Sequence, residues 1–439
     1  MSLLRVLVIT AVALPVWAQY AGPAILSRGQ VPIGMRSAQI SFRPFLEVSG
    51  VYDTGLTGVS VVDQYGNLTN ESGFGIEGTA GVSGFHTWKH TSLGLDYRGS
   101  YRAYTKQTYY SGTDQYLDLG LSHQFTRHTE FVLRESAGLY SRDFGLVTLH
   151  QAVPFDRNAA YIPTTDFFDN RTLYFSTQAD FIYQRSARLS FDLGGDFFSA
   201  RYRSSALYST NGQSARGDMQ YRIARYTTIG LNYQFSHFNF GKGFGGSDLH
   251  SLVASYSVRI TRNLEFSAYA GAVRVETKYI QVVPLDPVIA AIIGQGSGET
   301  IQHRTDYSPD IGARIARTFR NGVFSLSGGR VVTPGNGLFL TSISNSAAAN
   351  YAYTGLRRWS FLAGAYYNRS IAISNVNGHY ESLTGGVGLS RQIARSVHFT
   401  ARFDARKYNS SDFNLYNRVI YRATIGMGFS PGDVPLRIW

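Results

Sequence analysis

Apolar and polar side chains alternate along most of the chain with a period of two residues. In the segment 397–406, for example, Val397, Phe399 and Phe403 fall on one face, whereas Thr400 and Asp404 fall on the other. Successive side chains of a β-strand point to opposite faces, so each such segment predicts a strand with one apolar and one polar side. We count roughly eighteen such segments between about 42 and 429, each about 10 to 15 residues long.

The connections between these segments are alternately short and long. Short turns fall at 126–129, 184–188, 223–226, 261–263, 319–322, 356–359 and 393–396. Longer polar connections fall at 54–71, 143–170, 204–215, 278–303 and 335–345. This asymmetry is typical of an up-and-down antiparallel meander with two different ends.

The number of strands decides whether the apolar face of such a closed meander points into the barrel or outward. A water-soluble barrel fills its interior with side chains at about eight strands, and a much larger ring leaves an interior too wide to fill. With its apolar face on lipid and its polar face on water, a closed ring also pairs every backbone amide inside the bilayer. We therefore predict an all-β fold, a transmembrane antiparallel up-and-down β-barrel. We expect about 18 strands (16–18), with short periplasmic turns and long extracellular loops.

The amino terminus predicts an exported protein. Arg5 precedes an apolar stretch from Val6 to Val16, and the small-residue spacing predicts cleavage after Ala18, which is the pattern of a secretory signal peptide. We expect three segments: a signal peptide at 1–18, an N-terminal periplasmic or lumenal segment at 19–41, and the barrel at 42–439.

In its strand rhythm, turn asymmetry, signal peptide and aromatic carboxyl terminus, the chain resembles bacterial outer-membrane β-barrel proteins of the large porin-like or export-channel type. The resemblance covers about 42–439. It implies a location in the outer membrane of a Gram-negative cell, and it implies that Trp439 belongs to the signal read by the barrel-insertion machinery. Prolines interrupt the alternation before the end, so the closing strand either stops at Phe429 or is followed by a separate pairing of 434–439.

Charged side chains on the polar face are expected to line the lumen. The predicted inward cations are Arg98, Arg102, Arg134, Arg314, Arg402, Arg406, Arg418 and Arg422. The predicted inward anions are Glu47, Glu77, Asp96, Asp118, Asp180, Asp192 and Asp404. Because both signs are present in similar numbers, we expect a wall with weak ion selectivity.

Aromatic residues are expected to form girdles at the two membrane–water boundaries. Trp88 and Trp359 fall beside short turns. Near the long loops lie Tyr104, Tyr109, Tyr110, Tyr202, Tyr208, Tyr279, Tyr366 and Tyr367. Arginines cluster at the short turns, which favours anchoring to anionic lipid headgroups over an electropositive funnel for anionic solutes.

Two long connections, 145–170 and 278–299, contain apolar residues. In the second, Asp286 suits the N-cap of a short helix, Pro287 its first position and Gly294 its end. Because such an apolar helix is unfavourable in open water, we hypothesise that one or both connections fold into the mouth and narrow it. The alternative is packing over the outer rim.

The sequence gives little indication of metal, dinucleotide or nucleic-acid binding, or of catalysis. The chain has no cysteine, so it has no disulfide and no thiolate metal site. The glycine motif at 241–246 matches a dinucleotide fingerprint, but it leads into another strand instead of a helix. The basic residues follow turns and not a groove-reading element, so we expect no nucleic acid as a partner. We expect no cofactor and no enzyme activity.

Three hypotheses on function follow. The first is an outer-membrane porin-like channel for passive or weakly selective diffusion of small hydrophilic solutes. The second is an export conduit for an extracellular polysaccharide, resembling the alginate-export type. The third is a structural or adhesive barrel with a blocked lumen. The mixed lumen charge favours the first, and the expected partners are outer-membrane lipid, the insertion machinery and the solute.

Overall fold

The structure is a computed structural model. It describes residues 43–56, 61–62, 64, 68–69, 71–106, 110–140, 171–204, 207–241, 245–335, 337, 340–356, 358–373, 378–394, 396–410 and 417–429. The expected signal peptide, the segment 19–41 and Trp439 lie outside the described residues.

Strands dominate the described part of the chain. They are β1 (Arg43–Asp53), β2 (Val61–Val62), β3 (Leu68–Thr69), β4 (Gly73–Thr87), β5 (Thr91–Tyr104), β6 (Gly112–Gln124), β7 (Thr129–Tyr140), β8 (Thr172–Gln184), β9 (Leu189–Tyr202), β10 (Thr210–Ala224), β11 (Thr227–Phe240), β12 (Gly245–Thr261), β13 (Leu264–Pro284), β14 (Ser297–Phe319), β15 (Gly322–Thr333), β16 (Ser342–Tyr353), β17 (Trp359–Ala372), β18 (His379–Ala394), β19 (Val397–Ser410) and β20 (Arg418–Phe429). One helix, α1 (Pro287–Ile293), lies between β13 and β14. No helix in the described residues is long and apolar enough to cross a membrane.

The sheet closes into a ring. Eighteen strands pair antiparallel with their neighbours in chain order, and β1 pairs with both β4 and β20. The remaining two strands, β2 and β3, form a small separate hairpin in the first long connection. This confirms the predicted all-β, up-and-down barrel of about 18 strands.

The two ends of the ring differ as predicted. At one end, β10–β11 and β12–β13 are joined through 225–226 and 262–263. At the other end, some connections are shorter than expected because the strands continue into them. Strand β10 already begins at Thr210, and β13 pairs with β14 as far as Pro284 and Ser297. The β13–β14 hairpin is therefore longer than its neighbours.

The last described strand, β20, runs to Phe429, and the separate pairing of 434–439 that the sequence also allows lies outside the described residues. Phe429 pairs with Leu46 of β1 on one side and with Val397 of β19 on the other. The seam of the ring is thus made by strands from the two ends of the described chain.

Side chains that follow one another along a strand of the ring lie on opposite faces of the sheet. On β1, Leu46 and Val48 are 53% and 54% exposed, whereas Glu47 and Ser49 are 8% and 7% exposed. Because large apolar side chains occupy the open convex side, the polar residues that alternate with them lie on the concave inner face. The outer face is apolar and the inner face is polar.

Candidate functional site: the inner wall and mouth of the barrel

The first charged group on the inner wall, the Glu77 network, consists of Glu77, Arg102, Asp114 and Arg422. Arg102 donates from Nε to Glu77 Oε2 at 2.9 Å and from Nη2 to Asp114 Oδ2 at 3.2 Å. Arg422 of β20 donates to the same Glu77 oxygen. Since β1 lies between β20 and β4, this contact crosses the inner side of β1 and holds the seam together.

Further polar contacts continue around the seam. Thr400 Oγ1 of β19 donates to Glu47 Oε1 of β1 at 2.8 Å, across the intervening β20. On β19, Arg402 Nε lies 2.7 Å from Asp404 Oδ2. Each of these charged groups therefore has a polar partner on the wall itself, which lowers the cost of holding it away from bulk water.

The second group, the Arg216 network, lies on β8–β10. Arg216 of β10 forms an ion pair with Asp180 of β8, across β9, and its Nη1 lies 3.7 Å from Asp196 Oδ1. Gln178 Nε2 also donates to Asp180 Oδ2 at 3.0 Å. The Arg216 side chain is 1% exposed. This guanidinium is thus held by carboxylates on two other strands.

On β16–β18, opposite these networks, the buried polar side chains of the inner wall are uncharged. On β16–β18 the buried polar residues are Ser342, Ser344, Ser346, Asn368, Ser370, Ser382, Thr384 and Ser390. They pair with each other, as in the 2.6 Å hydrogen bond from Ser344 Oγ to Asn368 Oδ1. The charged groups are therefore concentrated on the arc from β19 through the seam to β10, and β14 adds the buried Asp310 and the inward Arg314.

The connection 334–341 between β15 and β16, described at 334–335, 337 and 340–341, contacts distant parts of the mouth on the long-loop side. Tyr208, in the β9–β10 connection, donates its backbone N–H to the Gly337 carbonyl at 2.8 Å. Ser247 Oγ of β12 lies 2.6 Å from Thr341 Oγ1, and Ile373 donates its N–H to the Thr341 carbonyl at 2.9 Å. Strands β11–β14 separate β10 from β15, so this connection reaches across part of the mouth.

Apolar packing holds the same connection in place. Leu340 is 6% exposed, and it belongs to a buried cluster of inner-wall and loop residues, here the mouth cluster. The mouth cluster comprises Phe198, Phe238, Phe240, Leu249, Val273, Val275, Leu340 and Ile373. The strand members stand near the long-loop ends of β9 and β11–β12 and beside them on β13, where the inner face changes from polar to apolar. This change gives the connection a surface to bury against.

The connection 278–303 does not enter the mouth. Its helix forms as predicted, since Asp286 Oδ1 accepts the Val288 N–H at 2.9 Å and Gly294 ends it in the left-handed conformation. However, α1 stands at the tip of the β13–β14 hairpin, and Val288 and Ile292 are 68% and 79% exposed. The hypothesis that this connection narrows the mouth is therefore wrong. The other candidate, 145–170, lies outside the described residues.

No protein-family model and no curated protein sequence matches the chain. Several solved structures are similar to it. The crystal structure of Pseudomonas aeruginosa OpdQ matches at 10% identity and a TM-score of 0.39, covering 90% of this chain and 98% of that one. Acinetobacter baumannii OccAB4 matches at 10% identity and 0.40, covering 89% and 98%. Pseudomonas aeruginosa OccK2 (OpdF) matches at 11% identity and 0.40, covering 90% and 99%.

The outer surface of the ring decides its surroundings. Leu193, Leu252 and Ile425 are 64%, 52% and 61% exposed, and similar side chains surround the whole ring. An apolar belt of this extent is unstable in water, whereas hydrocarbon covers it and the closed ring leaves no strand edge unpaired. The chain is an outer-membrane β-barrel. Its long connections face the outside of the cell and its short turns face the periplasm.

The outer-membrane barrel carries the predicted inward residues on its inner face. On β19, β20, β1 and β4–β6 lie Arg402, Asp404, Arg406, Arg418, Arg422, Glu47, Glu77, Asp96, Arg98, Arg102 and Asp118. On β7–β9 and β14 lie Arg134, Asp180, Asp192 and Arg314. The structure joins Glu77 to Arg102 and Arg422, and it joins Arg402 to Asp404.

Several charged residues of these networks are missing from the sequence prediction. Arg216 was hidden because its strand was expected to begin after a polar connection at 204–215, whereas β10 begins at Thr210. Asp114 and Asp53 stand near the ends of their strands, where the apolar partners that reveal alternation run out. The period of two could still have found Asp53, which lies six residues after Glu47 on the same face.

The expected girdle residues divide: Trp88 at the short turns and Tyr367 towards the long-loop end are exposed on the outer face, at 52% and 37%. Trp88, Phe125 and Tyr226 are 52%, 60% and 52% exposed beside short turns. At the outer end, two of the expected girdle residues point inward. Tyr104 donates its hydroxyl to Asp53 Oδ2 at 3.2 Å, and Tyr202 is 8% exposed. Those tyrosines belong to the inner wall.

Proposed function

We propose that this outer-membrane barrel is a porin-like channel for the diffusion of small hydrophilic solutes. The observation that carries the proposal is the inner wall, whose buried side chains are polar or charged over most of the ring. A polar interior surrounded by an apolar belt is the arrangement of outer-membrane barrels that hold water in their lumen.

The charge on the wall supports weak ion selectivity. In the Glu77 network two guanidinium groups share one carboxylate and Asp114 supplies a second, and in the Arg216 network one guanidinium lies between carboxylates. Paired charges of opposite sign produce little net electric field in the lumen, so neither cations nor anions are strongly favoured. Carboxylates are interspersed among the inward arginines, as Asp404 is between Arg402 and Arg406, which speaks against the continuous cationic ladder that would favour a polysaccharide export conduit.

The mouth supports a limit on solute size. The connection 334–341 is tied to the β9–β10 connection and to β12, and Leu340 is buried in the mouth cluster. A connection held in this way reduces the width of the entrance. The reduced width hinders the passage of an extended polymer more than that of a small solute. The same contacts favour one second candidate, a structural or adhesive barrel with a blocked lumen.

Conductance in a planar bilayer separates the two candidates. We expect the reconstituted protein to produce discrete conductance steps, with a reversal potential near zero in a salt gradient. Detergent without protein is the control, and liposome swelling with sugars of increasing length measures the size limit. A correctly folded barrel that inserts but carries no current would support the blocked barrel and contradict the channel.

A further inference from the structure

Five side chains that carry oxygen atoms stand together on the inner wall of the barrel, near the short turns. They are Ser190 and Asp192 of β9, Asp218 and Gln220 of β10, and Asn232 of β11, and we call them the oxygen cluster. Ser190 lies directly opposite Gln220 in the register of the sheet. Asp192 lies opposite Asp218, which lies opposite Asn232. Directly opposite side chains on one face of a sheet have Cβ atoms about 4.5–5.5 Å apart, so their oxygens can converge on one ligand.

Most oxygens of the oxygen cluster are buried without a hydrogen-bond partner. Asp192, Gln220 and Asn232 are 4%, 2% and 4% exposed, and Ser190 is 0% exposed. Among the residues that the structure describes, no partner contacts Asp192 Oδ1, Gln220 Oε1, Asn232 Oδ1 or Ser190 Oγ. Asn232 Nδ2 donates to Asp218 Oδ2 at 2.7 Å, which orients this amide and leaves its Oδ1 as an acceptor. Because an unpaired buried oxygen is unfavourable, the cluster is incomplete without a ligand.

This part of the wall also carries an excess of negative charge. Asp192 and Asp218 face each other directly, and like charges in that position destabilise a sheet. The neighbouring Arg216 is already held by Asp180 and Asp196 in the Arg216 network. At the inward positions of β7–β11, five carboxylates face three guanidinium groups: Glu130, Asp180, Asp192, Asp196 and Asp218 against Arg134, Arg216 and Arg222. A ligand of the oxygen cluster is therefore expected to be positively charged.

We propose that the oxygen cluster binds a calcium ion. Two carboxylates, two amide oxygens and a hydroxyl form a set of hard oxygen donors, and calcium takes about six to eight such donors in a flexible geometry. Within the described residues, no group of three or more His, Cys, Asp or Glu side chains is placed to hold a metal ion. The neutral oxygens of Gln220, Asn232 and Ser190 are therefore needed as ligands. The bound ion joins β9, β10 and β11 whether or not a solute passes through the lumen.

Other occupants fit the oxygen cluster less well. Magnesium requires a near-ideal octahedron and keeps several of its own water molecules, and transition metals prefer the nitrogen and sulfur ligands that the cluster lacks. A water molecule can donate to two acceptors, but it has no charge to offset the repulsion between Asp192 and Asp218. Calcium satisfies both the unpaired oxygens and the excess of negative charge.

Calcium binding by the whole barrel tests the proposal. The protein is refolded in non-ionic detergent without lipopolysaccharide, stripped with a chelator and titrated with calcium in a calorimeter. We expect one saturable site per chain with a Kd on the order of 10⁻⁴ M, and binding at least about tenfold weaker in D192N/D218N, which loses both charged ligands. Saturating calcium should raise the denaturant midpoint of the native chain and not that of the double variant. The single variant D192N, also expected to bind more weakly, keeps the test decisive if the double variant does not fold.

Two further variants separate a built site from general attraction to negative charge. Asp404→Asn is the matched control for D192N, since it removes a buried inner-wall carboxylate on the distant β19, and we expect its affinity to stay within about twofold of the native value. Gln220→Met keeps the charge but removes one oxygen ligand, and we expect binding about threefold weaker. The absence of saturable calcium binding, equal losses in D192N and D404N, unchanged affinity in Q220M, or equally tight binding of magnesium would each overturn the proposal.

Discussion

Glu77 shows how a single residue can constrain the inner wall. Its carboxylate accepts hydrogen bonds from Arg102 on one neighbouring strand and from Arg422 beyond the seam. The side chains of Arg102 and Glu77 are 4% and 10% exposed, so water screens this contact little. Glu77 therefore stabilises the closure of the ring as well as the charge of the wall.

Glu77→Gln leaves two buried guanidinium groups without their shared anion. We expect the free energy of unfolding to fall by about 3 kcal/mol, since removing one partner of a buried ion pair strands the other charge. Denaturant unfolding of the barrel in lipid vesicles measures this loss.

The matched control is Glu276→Gln on the outer rim. The side chains of Arg274 and Glu276 are 50% and 39% exposed, and a pair so open to water contributes about 1 kcal/mol or less. Equal destabilisation by the two variants would show that the Glu77 network does not hold the seam.

At the same scale, alternation alone identified Glu77, Arg102 and Arg422, but not their contacts. A period of two tells which face a side chain takes. It says nothing about which strands become neighbours across the seam, where Arg422 and Glu77 are 345 residues apart in the chain. It also missed Arg216, because the polar start of β10 carries no apolar alternation to mark it.

At the scale of elements, strands were more predictable than loops. A strand depends on its own alternation, and α1 depends on local signals at Asp286 and Gly294, so both could be predicted. The place of α1 depends on whether β13 and β14 keep pairing beyond the membrane, which they do as far as Pro284 and Ser297. The sequence of 334–341 does not predict where this connection packs, because its contacts are with distant strands.

Leu340→Asp tests the role of this connection. A carboxylate inside the mouth cluster would lose its solvation, so we expect the connection to leave the wall and the single-channel conductance to rise. Single-channel recordings of the reconstituted barrel measure this change.

Ile292→Asp is the control for Leu340→Asp. Ile292 is 79% exposed on α1, so the same change there should leave the conductance unaltered. An unchanged conductance in Leu340→Asp, with the barrel folded, would show that 334–341 does not narrow the path. A changed conductance in Ile292→Asp would show instead that the β13–β14 hairpin narrows the path.

At the scale of the whole molecule, strand count and alternation were enough to predict the architecture. Roughly eighteen alternating segments cannot close around a side-chain core, because a ring of that size is too wide for its side chains to fill. The structure has 18 strands in one closed sheet, with an apolar outer face and a polar inner face. Apolar side chains also stand on the inner face in two places, the mouth cluster and the pair Val132 and Ile182 near the short turns.

The most direct test of this account is the water accessibility of successive positions along one strand. Because the chain has no cysteine, single cysteines can be placed one at a time at 420–427 of β20 in the vesicle-reconstituted barrel and exposed to a charged thiol reagent. With a polar inner face on water and an apolar outer face on lipid, we expect labelling at Ile420, Arg422, Thr424 and Gly426, and protection at Tyr421, Ala423, Ile425 and Met427. Labelling at the odd-numbered positions with protection of the even-numbered ones, or no alternation at all, would contradict it.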